Sequence, residues 1–188
     1  MLEDMEGRID AIVDGGPCGV GVESTIIDLT VTPPRLLRPG GLPLEELEEV
    51  LGEITVDKAV LSPLAAGEKP RAPGMKYRHY APKAPVTVVT GPGEGTARYI
   101  RERAGEHTGV ICFGEFAEAF PNCVVEPIGS YADKAEQARR VFEALRAFDG
   151  TAVTAIYAQC PGDAGLGLAV ANRLKKAAGF HEVEADSE

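Results

Sequence analysis

Two hydroxyl residues and one arginine are the side chains of this sequence best suited to handling an anion. In Gly21-Val22-Glu23-Ser24-Thr25-Ile26-Ile27-Asp28, Ser24 and Thr25 stand at the mouth of a β-branched run, behind a glycine-rich approach. Short hydroxyls can hold a carboxylate or a phosphate, and glycine lets a ligand come close to the backbone. An ordinary turn entering a strand explains the same residues. In Leu36-Leu37-Arg38-Pro39-Gly40 the arginine follows two apolar residues and precedes a turn. A guanidinium placed so can clamp a phosphate or carboxylate in a fork, with a plain surface arginine as the alternative. Between Lys69 and Lys83 lie five basic residues (Lys69, Arg71, Lys76, Arg78, Lys83) and His79, with no acid among them. Tyr77 and Tyr80 are interleaved there; such a stretch can meet an anion, and a solvated surface loop explains it equally well.

The elements that must position these groups separate into regions by composition. In residues 1–52, Asp14–Gly21 holds four glycines and a proline and reads as turns. Ser24–Leu29 reads as a strand, and Val31–Arg38 as a second one that can pair with it as a hairpin. Pro43–Leu51 carries Leu44, Leu47, Val50 and Leu51 at helical spacing, with Gly52 at its end. One loop, one hairpin and one helix bury little core, so this region reads as the end of a domain. Residues 53–85, with seven prolines and glycines, read as a linker with little regular structure.

From residue 86 to about 180, strand and helix signals alternate. The strand signals are Val86–Thr90, Gly109–Phe113, Cys123–Val125 and Thr151–Ala158; the helix signals are Thr96–Ala104, Tyr131–Phe148 and Gly165–Ala178. That alternation predicts an α/β, Rossmann-like domain with a mostly parallel sheet covered by helices. Residues 181–188 hold four acids and read as a frayed tail.

Two glycine-bearing loops in this region invite comparison with anion sites. Gly91-Pro92-Gly93-Glu94-Gly95, with Glu115 about 20 residues further on, lacks the spacing of a dinucleotide fingerprint and reads as a βα turn. Pro161–Gly167, ahead of the last helix, could offer N–H groups to an anion or simply pack, with Asp163 as a cap. Asn172 and Arg173, one turn into that helix, read as interface or solvent residues.

Composition sets the outer bounds. Apolar residues make up 44% and charged residues 26%, a globular mix. No apolar run approaches the roughly 20 residues that span a bilayer, and the acidic Met1–Asp10 is no secretory signal, so a cytoplasmic protein without a membrane partner is expected. The net charge of −10 disfavours direct tRNA or other nucleic-acid binding. Cys18, Cys112, Cys123 and Cys160 are far apart and suggest reduced thiols, mostly buried, rather than a metal site or disulfides. No Ser-His-Asp, Cys-His or paired-carboxylate set is present. His107 and His181 read as surface residues.

The strings from Asp14 to Asp28 and Leu37 to Gly40 resemble the closing part of the YrdC-type fold. Ala72–Pro82 is similar to the interdomain linker of long-form L-threonylcarbamoyladenylate synthases, and Gly165–Ala178 to the last helix of their extra C-terminal domain. The resemblance covers nearly the whole chain. It implies formation of threonylcarbamoyl-AMP and pyrophosphate from L-threonine, bicarbonate and ATP, for threonylcarbamoylation of the adenosine beside the anticodon of certain tRNAs. It implies that Ser24 helps hold threonine, that Arg38 contacts the nucleotide phosphates, and that Tyr77, Arg78 and His79 close over ATP or the adenylate. Magnesium would accompany ATP in the full-length enzyme, with none expected for this chain alone, and the tRNA-modification transferase machinery would be an indirect partner. The family's lysine- and arginine-bearing nucleotide motif and its Ser-x-Asn element are missing from the sequence. Met1 then falls inside the catalytic domain, which puts ATP and threonine binding largely in the absent part and makes turnover by this chain alone unexpected. The competing class is a non-enzymatic α/β module that senses a nucleotide or docks a partner.

Overall fold

The computed structural model describes residues 5–16, 18–65, 67–73, 75 and 81–185. Tyr77, Arg78 and His79 lie outside these residues. Two sheets organise the chain. In the first, β1 (Ile26–Asp28) pairs antiparallel with β2 (Arg35–Arg38), and β2 pairs in parallel with β3 (Thr55–Val56). The hairpin read from the sequence is therefore present. Helix α1 (Leu44–Leu51) connects β2 to β3 and stops at Gly52, whose φ of 75° favours glycine.

The stretch expected to have little regular structure instead opens with β3 and α2 (Lys58–Leu61). Thr55 and Asp57 donate their amides to Pro34 and Leu36 of the hairpin arm, so a two-residue strand forms because a neighbour is there to receive it. Asp57 then caps α2, its carboxylate accepting from the Ala59 amide at 3.0 Å.

The second sheet is wholly parallel, in the order β6-β5-β7-β4-β8. Its strands are β4 (Val86–Thr90), β5 (Thr108–Cys112), β6 (Val124–Pro127), β7 (Ala155–Gln159) and β8 (Glu182–Glu184). Side chains alternate across it as a pleat requires. Val86, Val88, Ile111 and Ile156 face α4 (Lys134–Ala147) and α5 (Leu166–Ala177), whereas Val89, Val110 and Cys112 face α3 (Gly93–Arg101). Both faces are covered, which is why β5 is buried along its whole length. This is the α/β, Rossmann-like architecture expected from the sequence.

The end of the chain departs from expectation. Residues 182–184 form the edge strand β8 on β4, and Ala185 is buried, its amide held by the Thr90 carbonyl at 2.8 Å. Val183, between two exposed acids, faces the core, so an acidic run is compatible with an edge strand half open to water.

The first region rests on the second. Val22 joins the large core, and Gly21 lies so close to α4 that a Cβ there would stand 2.3 Å from the Arg139 Cα. Cys112 and Cys160 are buried, Cys123 is half-buried and Cys18 is exposed. Burial pushes the Cys112 thiol up to about 12. His107 and His181 are exposed. Among the described residues no helix is long and apolar enough to cross a membrane.

Candidate functional site

The strand pairing that builds the hairpin also joins the two motifs. Ile26 lies opposite Arg38, with a register shift between Ile26 and Ile27. Gly40 packs against the backbone of Glu23–Thr25 so tightly that a Cβ would stand 2.2 Å from the Glu23 carbonyl oxygen. Thr25 completes the junction: its hydroxyl donates to the Leu42 carbonyl at 2.8 Å and accepts from the Leu42 amide at 3.0 Å. The Thr25 hydroxyl thus serves the fold, while the Ser24 hydroxyl is on an exposed residue.

Arg38 closes over Ser24. Its Nε donates to the Ser24 carbonyl at 3.0 Å and its Nη2 to the Ser24 hydroxyl at 3.1 Å. A guanidinium carries five N–H groups, and the two given to Ser24 leave three that can meet an oxyanion. The arrangement presents a positive fork and a hydroxyl side by side on one wall, which suits a carboxylate or phosphate.

That wall is backed by the last helix. Arg173, only 5% exposed, donates from Nε to the Glu23 carboxylate at 2.6 Å, from Nη2 to the Pro39 carbonyl at 3.1 Å and from Nη1 to the Asn172 side chain at 2.8 Å. Asn172 in turn donates to the Val60 carbonyl at 2.7 Å. Lys176 is buried on the same helix face. Burial, with the positive charges of Arg173 and Arg38, brings the Lys176 amine down to about 8 against the pull of Glu23. Burial raises Glu23, yet the Arg173 charge, hydrogen bonding and Arg38 outweigh it and hold the carboxyl below its usual range.

Asn172 and Arg173 are therefore interface residues, tying α5 to Val60, Glu23 and Pro39, one half of the reading made from sequence. Their partners could not be found there, although the spacing of 172, 173 and 176 does put three polar side chains on one face of an otherwise buried helix. The Pro161–Gly167 loop does meet an anion, a protein one: the Gly165 amide donates to the Glu45 carboxylate at 2.9 Å. Gly165, not Asp163, is the N-cap, and it has no side chain to cap with. Glu115 accepts from the Tyr131 amide at 3.0 and 3.1 Å, a structural tie. Among the described residues no group of three or more His, Cys, Asp or Glu could hold a metal ion, and Glu23 is already engaged by Arg173.

The described part of the linker reaches the same wall. Ala72 and Met75 are buried in a cluster with Leu37 and Ala59, against which Ile26 packs. At its far end the Lys83 amide donates to the Asp149 carboxylate at 2.9 Å.

Fold and site together define an α/β protein in which a hydroxyl–guanidinium wall is carried on a small sheet and braced by a Rossmann-like domain. The family model described as threonylcarbamoyl-AMP synthase, C-terminal domain, matches residues 42–179, and the chain belongs to that family. A second model, described as telomere recombination, matches residues 1–40. The threonylcarbamoyl-AMP synthase of Pyrococcus abyssi is 46% identical over 191 residues, covering 98% of this chain and 54% of the relative. That of Bacillus subtilis is 44% identical over 181 residues, covering 95% of this chain and 51% of the relative. The chain thus spans about half the length of these relatives. The crystal structure of P. abyssi Sua5 complexed with L-threonine superposes with a TM-score of 0.80 at 45% identity, over 98% of this chain and 54% of that one.

Proposed function

We propose that this chain supplies one wall of the substrate site, the linker and the accessory domain of a threonylcarbamoyl-AMP synthase. In that reaction the threonine amine attacks the carbon of bicarbonate, water leaves, and a carbamate forms. A carbamate oxygen then attacks the α-phosphorus of ATP, and pyrophosphate departs. The observation that carries the reading is the Arg38–Ser24 pair, a fork and a hydroxyl on one wall with three guanidinium N–H groups left for an oxyanion. Ser24 holds the threonine moiety, and Arg38 meets the nucleotide phosphates as charge develops on them.

Tyr77, Arg78 and His79 reach the ATP or adenylate from the linker. Support comes from the residues around them: Met75 is packed with Leu37, the neighbour of Arg38, so the chain leaves Met75 beside the wall. The described residues offer no metal-binding cluster. Magnesium would enter with the nucleotide as part of the substrate, and no step is assigned to it. The adenylate would be an activated carbamoyl donor for a transferase acting on tRNA, a role that fits a cytoplasmic protein.

The test uses a chimera in which these 188 residues replace the matching half of the P. abyssi relative. Given MgATP, bicarbonate and L-threonine, it is expected to release pyrophosphate only when threonine is present. A chimera that melts cooperatively yet shows no threonine-dependent pyrophosphate would overturn the reading. The 188-residue chain alone is expected to release none.

A further inference from the structure

We propose that Arg173 is a positioning residue, through which the accessory domain holds Ser24 and Arg38 in their working geometry. The inference rests on the reading of Ser24 and Arg38 as substrate-contacting groups.

Arg173 ties two segments distant in sequence to its own helix through one planar side chain. It donates to the Glu23 carboxylate immediately before Ser24, to the Pro39 carbonyl immediately after Arg38, and to Asn172 beside it. The two residues of the wall are thus each gripped through a chain neighbour by the same planar guanidinium. Gly40 is pressed onto the Glu23–Thr25 backbone, and the Gly41 amide donates to the Glu23 carbonyl at 3.2 Å, so a shift of Glu23 is passed to both strands. The helix carrying Arg173 is itself fixed: the Glu45 carboxylate holds the Gly165 amide, Asn172 holds Val60, and Val170, Leu174 and Ala177 are buried in the large core.

A lysine at 173 would keep the charge and lose the fork, so it would keep the Glu23 contact but not the Pro39 contact with it. Charge and geometry can therefore be separated. Arg173 does not act on substrate directly in this account; it acts through Glu23 and Pro39 on the pair that does.

The experiment reads the Arg38 Nε–H, which donates to the Ser24 carbonyl, by 15N-edited NMR on the full 188-residue chain without substrate. In Arg173→Met and in Glu23→Gln, hydrogen exchange at that Nε–H is expected to accelerate at least tenfold, the double variant adding nothing further. Arg173→Lys is expected to fall between wild type and Arg173→Met. Should Arg173→Met fail to fold, Glu23→Gln and Arg173→Lys carry the same reading. An unchanged Arg38 signal in folded Glu23→Gln and Arg173→Lys chains would overturn the proposal.

In the chimera, Arg173→Lys is expected to raise the L-threonine KM about tenfold and to lower kcat about tenfold as well, because Arg38 meets charge that develops in the reaction; a folded variant with both constants unchanged would also overturn it. The two readings fail apart. An Arg38 signal that responds in a chain whose chimera makes no pyrophosphate would remove the substrate role and leave the positioning intact.

Discussion

The Asn172 side chain donates to the Val60 carbonyl at 2.7 Å, joining α5 to a residue of α2 that lies 112 positions earlier. Both partners are buried. Asn172→Ala leaves that carbonyl without its donor, and an unsatisfied buried acceptor costs about 1–3 kcal/mol. Urea unfolding of the 188-residue chain should show a loss in this range. A change below about 0.5 kcal/mol would mean the tie contributes nothing to the docking of the two regions.

Gly21 and Gly40 are demanded by close approach, and Gly21 also by a φ of 79°. A Cβ on Gly21 would meet α4 backbone at 2.3 Å, and one on Gly40 would meet the Glu23 carbonyl at 2.2 Å. Neither obstacle is the end of a flexible side chain. Each alanine substitution is expected to destabilise the chain by about 2–4 kcal/mol, since backbone must move. Gly40→Ala should in addition disturb the Arg38 Nε–H signal, and Gly21→Ala should disturb it less. Equal effects of the two at Arg38 would contradict the placement of Gly40 as the joint between the motifs.

Lys176 gives the fold a pH dependence of definite sign. Its folded value of about 8 lies below the unfolded 10.5. Below pH 8 both states carry the proton and the cost of burying the charge is fully present. Between pH 8 and about 10.5 the unfolded chain binds the proton and the folded chain does not, so this group adds stability as pH rises. The gain is on the order of 1–3 kcal/mol. Comparing wild type with Lys176→Met by denaturant unfolding isolates it: wild type should gain relative to the variant from pH 8 to 10. A difference that is flat with pH would contradict the buried, cation-flanked placement.

Much of the fold is legible in the sequence because its signals are local. Val86–Thr90 and the apolar run through Cys112 declare buried strands, and Ala138, Val141 and Leu145 declare the inner face of α4. What escapes is structure that exists only through a distant partner. Ile54-Thr55-Val56 is β-branched but too short to declare a strand alone, and Thr55-Val56 pairs because Pro34 and Leu36 offer carbonyls. Glu182 and Glu184 hide an edge strand, because the acids sit on its wet side and Val183 alone marks the other.

The site divides in the same way. Ser24 and Arg38 can be singled out by residue type, and the pairing of β1 with β2 is what brings them together. Arg173 reads from sequence only as an interface or solvent residue, and its partner cannot be found there, because Glu23 lies 150 residues away. Tyr77, Arg78 and His79 lie outside the described residues, and their role is a matter for substrate-binding measurements.

The strand that replaces the expected frayed tail makes its own prediction. Removing residues 181–188 strips β8 from β4 and uncovers Val89 and Ile100 where Val183 and Ala185 pack. The loss should be about 2–4 kcal/mol, from apolar area returned to water and ladder bonds broken. A truncated chain as stable as the full one would return these residues to the status of a tail.

The most direct measurement of the central claim is kcat/KM for threonine-dependent pyrophosphate release by the chimera carrying Arg38→Lys. Lysine keeps the charge but cannot hold Ser24 through two N–H groups while offering three more to an oxyanion. Loss of charge-assisted hydrogen bonds worth about 1.5–3 kcal/mol predicts a fall of roughly 10- to 150-fold, with a melting temperature close to that of the parent chimera. A folded Arg38→Lys chimera within threefold of its parent would contradict the assignment of the Ser24–Arg38 wall to the substrate site.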